Sequence, residues 1–402
     1  MVIRTYPQIP VDEWEDDAPS DRGQGSGRQL SAVVLAAGEG TRMRSSRPKP
    51  LHRLCGRPMI LHVLDALAQL SVARVVVVVG HRADWVTKTL VEHAPAGMEI
   101  EFVEQVGQHG TGDAMSVALT GLPHEDDSDE GDVVVLPGDT PLLRPGTLAH
   151  LVRQHRASDA AATLLTAVID EPGGYGRVVR GRGDSVARVV EHADATDEEL
   201  EIQEVNTSIY CFRRSVLAPS LRRLSPANAQ GEYYLTDVVE VLYEAGHKVG
   251  SVVVEDTMEV AGVNDRAQLA VAEAELRDRI NERWMRRGVT MWDPERTYID
   301  VDVMVEPDVV LLPGVILQGS CVIGTHAEIG PDAHLVDTVV GEGATVASSV
   351  ARRAVIGADA RIGPFAVLAE GTEVPAGAVV DRFSSKPTDP GPIEGNDGGD
   401  AR

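Results

Sequence analysis

"VVLAAGEGTRMRSSRPKPLHRLCGRP", residues 33–58, decides how the first two thirds of the chain must be read. Its opening apolar run stops at a glycine turn, and four basic side chains follow within eight residues: Arg42, Arg44, Arg47 and Lys49. Runs of the same kind recur as RVVVVVG, IEFVEQ and DVVVLPGD. They are apolar on both faces, as strands inside a parallel sheet must be. Helices are predicted between them, near 58–70, 83–93, 110–121 and 145–156. Alternation of this sort implies a doubly wound, mostly parallel α/β sheet. We read this domain as 30–287, ending in a long helix after Asn264, with the acidic stretch HEDDSDEGD (124–132) as a solvated loop.

From about Tyr298 the period changes. Aliphatic residues recur every sixth position at Ile299, Val305, Leu311, Leu317, Ile323, Ile329 and Leu335. After a slip they resume at Val340 and Val346, then at Ile356, Ile362, Leu368, Val374 and Val380. The units IGTHAE, IGPDAH, IGADAR and IGPFAV give the repeat its form. Such a period is that of a hexapeptide β-helix, here assigned to 288–381 and read as left-handed and parallel. Residues 1–29 and 382–402 are acidic or rich in Pro, Gly and Asp, and are read as disordered tails.

Composition narrows the function. The formal charge of −25 argues against general binding to nucleic acid or to a membrane surface. A local basic cluster can still attract a polyanion, because distant charges are screened within about 8–10 Å. Cys55, Cys211 and Cys321 are odd in number and far apart, which suits reduced buried thiols. No run approaches the roughly 20 apolar residues of a membrane span. The N-terminus has no apolar signal core, so a cytoplasmic location is expected.

Seven segments carry candidate chemistry. In GEGTRM, Met43 stands where a dinucleotide fingerprint needs its third glycine, and no Walker lysine follows at the right spacing. What remains is a glycine turn able to approach a phosphate or base; the alternative is a plain turn followed by solvated arginines. EQVGQHGTGDAM sets Gln105 after a strand, a side-chain amide with donor and acceptor groups for a base edge. Gly110 and Thr111 follow at a helix start, where backbone amides suit an anion or a base edge. VVVLPGDTPLL delivers Asp139 at a strand's C-terminal end, a candidate Mg²⁺ ligand or else a turn cap. GGYGRVVR, VARVVEHADAT and EVNTSIYCF space Gly176, Glu191 and Asn206 through β-type segments, a set able to line a sugar pocket. EVAGVNDRAQL puts Asn264 at a helix start, as an N-cap or as a second metal oxygen.

Taken in order, LAAGEGTRM…RPKPL, EQ…GTGDAM, LPGDTPLL, GYGR, VVEHADAT, EVNTSIY, NAQGEYYLTDVVE and VAGVNDRAQL, then the hexapeptides, the chain closely resembles a known family. It is that of the bacterial N-acetylglucosamine-1-phosphate uridyltransferases, the first half of the bifunctional GlmU proteins. The likeness covers about residues 31–380. It implies a Mg²⁺-dependent transfer of uridylyl from UTP to N-acetylglucosamine 1-phosphate, giving UDP-N-acetylglucosamine for cell-envelope synthesis, by a cytoplasmic homotrimer. It further implies that Leu35, Ala36, Ala37 and Gly38 form the nucleotide loop, and that Lys49 binds phosphate with Arg42 nearby. Gln105, Gly110 and Thr111 would read uracil. Asp139, preceded by Pro137 and Gly138, would hold Mg²⁺ together with Asn264. Gly176, Glu191 and Asn206 would contact the sugar.

Two departures stand out. Ser208 occupies the place where the family usually has Gly after Asn-Thr, which bears on acceptor fit. Beyond GPFAVLAEGTEVPAGAVV the repeat stops, and Ala369 replaces the arginine of the family's Leu-Arg-Pro-Gly stretch, so acetyl transfer is expected to be lacking. The rival readings are a nucleotidyltransferase for another sugar 1-phosphate and a catalytically silent regulatory subunit.

Overall fold

The computed structural model describes residues 28–122 and 131–384. Most of the expected tails and of the acidic stretch therefore lie outside the described residues. The chain divides into two compact units, one comprising 28–54 and 58–272, the other 55–57 and 273–384.

The first unit is the expected α/β sheet. Its strands are β1 (Leu30–Leu35), β2 (Val72–Val79), β3 (Ile100–Glu104), β4 (Asp132–Pro137) and β5 (Ala162–Val168). They continue as β6 (Arg177–Arg180), β7 (Val186–Val190), β8 (Glu204–Arg213) and β9 (Val249–Val253). The main path runs β9-β5-β8-β4-β1-β2-β3, with the β6–β7 hairpin attached at β8. Every pairing along that path is parallel except those of β8, which lies antiparallel to both β4 and β5. Val33, Val34 and Val76–Val78 are fully buried, which is why those segments are apolar on both faces. Helices α1 (Met59–Ala68), α2 (Ala83–His93), α3 (Thr111–Ala118) and α4 (Pro145–Ala157) fall where the sequence pattern predicts them. They are followed by α5 (Asp197–Leu200), α6 (Arg214–Leu221) and α7 (Asp237–Glu244); the long helix α8 (Arg266–Arg286) begins in this unit, and its residues from 273 on belong to the second.

The second unit is the β-helix. Strands of two or three residues stack into three parallel sheets of six, five and five strands. Every aliphatic residue of the six-residue series points inward and is buried. The position two residues earlier is filled by small or branched side chains, among them Val303, Val309, Cys321, Ala327, Ala333 and Ala344, all fully buried. The slip in the series also has a structural form. Val310 pairs with Glu328 and Ile316 with His334, 18 residues apart, whereas Val339 pairs with Val355 and Thr345 with Arg361, 16 apart. The missing inward residue between Val346 and Ile356 is Ala351, buried and in register with Leu335 and Leu368. All three cysteines are free and buried, and burial pushes the Cys321 thiol up to about 11.

Candidate functional site

In chain order the sheet grows from β1 through β2 to β3 on one side, then returns with β4 to the other side of β1. That reversal leaves a crevice beyond the carboxyl ends of β1 and β4, the usual ligand position in an open α/β sheet. Leu35 and Pro137 face each other in register at those ends. The Gly138 amide donates to Leu35 O at 2.9 Å, and the Ala36 amide to Val78 O at 2.9 Å. Ala36 and Ala37 are buried while Gly38 is exposed with open space around its Cα, so the loop emerges into the crevice at that glycine. Gly80 lets the loop pass: a Cβ there would lie 2.5 Å from Ala37 O.

Of the four basic residues, two converge on the crevice. Lys49 Nζ donates to Asn264 Oδ1 at 2.9 Å and makes a close ion pair with Asp139 Oδ2. Arg42 Nη2 donates to the same Asn264 oxygen at 2.9 Å. Arg44 and Arg47 are exposed and stand outside this cluster of hydrogen bonds. The Val263 amide donates to Asp139 O at 2.9 Å, which ties the approach to Asn264 to the end of β4. Gly40 is at φ +64°, and a Cβ there would lie 2.5 Å from Lys49 Cβ. The glycine turn thus makes room for the lysine stem. Asp139 and Asn264 direct two oxygens at one cation, the Lys49 ammonium. A hard, oxygen-seeking metal ion fits the same pair of donors.

The base-reading trio also lies together. Gln105 is buried, its amide nitrogen donating to Gly110 O at 3.1 Å and to Asp113 Oδ2 at 2.8 Å. Both N–H groups of that amide are thereby taken, leaving its carbonyl oxygen as the group to offer a ligand. Gly110 is at φ +101°, where a Cβ would lie 2.5 Å from Tyr233 O, so only glycine fits. The Thr111 hydroxyl accepts from the Leu235 amide at 3.0 Å. Thr111 can still offer a ligand its main-chain amide and the O–H of that hydroxyl.

Gly176, Glu191 and Asn206 form the third group. The Asn206 amide donates to Gly176 O at 2.9 Å, and a Cβ on Gly176 would lie 3.4 Å from Glu191 Oε2. Asn206 Nδ2 donates to the Tyr210 hydroxyl at 2.7 Å. Burial raises the Glu191 carboxyl above its ordinary range, partly offset by the Thr236 hydroxyl, which donates to Oε1 at 2.9 Å.

Ser208 sits at φ +62°, beside a register shift between Asn206 and Ile209 in the β8–β5 pairing. That is a bulge, and a left-handed backbone there favours glycine. Ser208→Gly is expected to stabilise the domain by about 1 kcal/mol, through relief of left-handed strain. Thermal unfolding checks this; a lower melting temperature would contradict it.

Four residues of this region escaped the sequence reading. Gln108 donates to Ala37 O at 3.1 Å, linking the base-side loop to the nucleotide loop. Thr236 orients Glu191. Tyr233 exchanges main-chain hydrogen bonds with His109 and Gly112, at 2.8 and 2.7 Å, so the GEYYLTD segment runs from the base group to the sugar group. Tyr175 bonds to the Gly262 main chain; its phenol is raised mainly by burial, with Asp139 adding to the effect. Of these, Tyr233 and Thr236 lie in GEYYLTD, a segment that the sequence reading takes, with EVNTSIY, to favour an N-acetylamino sugar, with no role for either residue. Gln108 and Tyr175 gave no signal beyond lying inside a motif.

Residues 32–245 match the MobA-like NTP transferase domain family. The chain is 48% identical over 333 residues to the bifunctional protein GlmU of Thermobifida fusca, covering 82% of this chain and 68% of that one. It is 46% identical over 342 residues to bifunctional protein GlmU of Desulfitobacterium hafniense, covering 85% and 73%. The Streptomyces avermitilis protein of the same name is 45% identical over 357 residues, covering 89% and 73%.

Proposed function

Because the chain belongs to the GlmU family, we propose that it transfers uridylyl from UTP to N-acetylglucosamine 1-phosphate, releasing pyrophosphate. The observation that carries this reading is the meeting of Arg42, Lys49, Asp139 and Asn264 beside the β1 glycine turn, at the β1/β4 switch point. A phosphate oxygen of the sugar phosphate attacks the α-phosphorus of UTP, the bond from that phosphorus to the β-phosphate bridge breaks, and pyrophosphate leaves. No protein nucleophile is needed. Catalysis rests on positioning and on charge neutralisation.

The residues divide the work. The Leu35–Gly38 loop supports the nucleotide, and Gly110 and Thr111 offer main chain to the base. The Gln105 carbonyl accepts from a uracil ring N–H, since its two donors are already engaged. Arg42 and Lys49 offset the charge of the triphosphate and of departing pyrophosphate. Glu191 and Asn206 hold sugar hydroxyls and the N-acetyl group, with Gly176 keeping space open beside them. Asp139 and Asn264 would hold Mg²⁺, which supplies further charge neutralisation on the phosphates when bound. Among the described residues no three His, Cys, Asp or Glu side chains converge on one point. The metal would then draw its other oxygens from substrate and water, as Mg²⁺ commonly does.

The test is pyrophosphate release by purified protein with UTP, Mg²⁺ and a panel of sugar 1-phosphates. Release with N-acetylglucosamine 1-phosphate well above glucose 1-phosphate is expected. Preference for another sugar would favour the first rival, and silence across the panel would favour a regulatory subunit. A cytoplasmic setting in envelope-precursor synthesis follows from this chemistry. No helix among the described residues is long and apolar enough to cross a membrane.

For the β-helix we propose a homotrimer. Val339 and Val355 pair in register with partly exposed side chains, and Val367 is 57% exposed on a neighbouring sheet, which leaves apolar stripes for sister chains to cover. Light scattering should report three times 43.0 kDa; a monomer at micromolar concentration would refute it. For the 402-residue polypeptide assayed alone, we propose uridylyl transfer without acetyl transfer. Its described residues 366–384 hold no His, Tyr, Asn or Lys, and Ala369 stands at the expected arginine. Thiol release from acetyl-CoA that depends on glucosamine 1-phosphate would overturn this.

A further inference from the structure

We infer that the Lys49 ammonium is the resident counter-ion of the metal-binding oxygens, so that metal enters only as a triphosphate draws the lysine away. The inference rests on the nucleotidyltransferase reading and concerns the order in which the site fills.

The geometry is specific. One ammonium group bridges both oxygens assigned to the metal, Asp139 Oδ2 and Asn264 Oδ1. Asn264 Oδ1 also accepts from Arg42 Nη2 at 2.9 Å. An amide oxygen has two lone pairs, and both are engaged. A metal ion cannot take that oxygen until a cation leaves it. Lys49 is the one that also occupies Asp139 Oδ2. Its side chain is 13% exposed and that of Asp139 is 23% exposed, so water screens the pair only in part.

The stem and the head of Lys49 differ in freedom. The Gly40 turn fits closely over the stem, with Lys49 Cβ, Cγ and Cδ at 2.5–3.3 Å from a hypothetical Gly40 Cβ. Among the described residues the ammonium bonds the two oxygens just named, and it turns on flexible terminal torsions. A triphosphate in the crevice offers that head a stronger anionic partner. Its departure bares an anionic oxygen and an amide oxygen for the metal. By linkage, metal and nucleotide then raise each other's affinity by the same factor. The exchange also keeps charge roughly balanced: a cation faces Asp139 before and after the substrate arrives.

The test reads metal binding directly, by the free Mn²⁺ signal in electron paramagnetic resonance, with no turnover. Nucleotide-free wild-type protein should bind Mn²⁺ weakly. Lys49→Met should bind it about ten- to a hundredfold more tightly, and adding Asp139→Asn to Lys49→Met should remove the gain. Lys49→Gln serves as a second neutral variant, and circular dichroism melts confirm that each is folded. A further arm needs no lysine change. In nucleotide-free protein, Asp139→Asn alone should alter Mn²⁺ affinity by less than about twofold, because the site is already filled by the ammonium. Neutral Lys49 variants that bind Mn²⁺ no better than wild type would overturn the proposal. So would a tenfold loss on Asp139→Asn alone, since the oxygens would then be open from the start. Either result alongside normal pyrophosphate release by the wild-type protein sinks this inference and leaves the functional reading standing; absence of release by the wild type sinks the functional reading itself.

Discussion

Asp139→Asn should lower Mg²⁺-supported uridylyl transfer on the order of 10³-fold, without unfolding the domain. The substitution keeps shape and one acceptor oxygen but removes the negative charge that a hard cation requires. The hydrogen bond that anchors this residue in the fold does not use that charge. The Asp139 carbonyl, which holds Val263 at 2.9 Å, is main chain and unaffected. The side chain is partly solvent-accessible, so loss of the Lys49 pair leaves the ammonium able to reach water. Steady-state rates of pyrophosphate release, with a thermal melt beside them, decide the matter. Activity within a few-fold of wild type at ordinary Mg²⁺ would remove Asp139 from the metal site.

The second large effect concerns the basic segment. Lys49→Ala should cost on the order of 10²–10³ in turnover with UTP, whereas Arg47→Ala should stay within about twofold. The two cations are two residues apart in sequence, yet only one faces the crevice. Lys49 reaches Asp139 and Asn264. Arg47 is exposed, and it is its main chain that is bonded, the amide to the Ser45 hydroxyl at 3.1 Å and the backbone to the His52 ring. A charge that meets the triphosphate as pyrophosphate departs acts on rate, and one bathed in solvent acts weakly. Equal and small losses from the two substitutions would return the segment to an ordinary solvated turn.

How far these features could be read in advance depended on whether their cause was local. The strands ending at Leu35, Val79 and Pro137 were legible because burial on both faces leaves an uninterrupted apolar run. The hexapeptide coil was legible for a similar reason, since one inward aliphatic repeats at each turn of chain. Ala351 escaped because a methyl group fills the same inward place where the coil contracts, and alanine carries no periodic signal. The side chain assigned to phosphate meets its partner 215 residues away, at Asn264. No period or spacing reports such a contact, and only the ordered set of motifs pointed there. The orientation of Gln105 was hidden too: an amide can read a base edge with either group, and Asp113 and Gly110 O decide which remains. Ser208 is the converse case. The serine in EVNTSIY stood out as a departure from the family's Gly and was tied to acceptor fit, whereas its left-handed backbone is seen in the bulge between β8 and β5.

The central claim is that this crevice joins uridylyl to a sugar phosphate, and phosphorus NMR of a single reaction mixture tests it most directly. Purified protein, Mg²⁺, UTP and N-acetylglucosamine 1-phosphate should lose the triphosphate and monoester signals together. Two diphosphate resonances of UDP-N-acetylglucosamine should grow in step with one of pyrophosphate, in equal molar amounts. Triphosphate loss that yields free phosphate, or an unchanged sugar phosphate signal, would contradict the account.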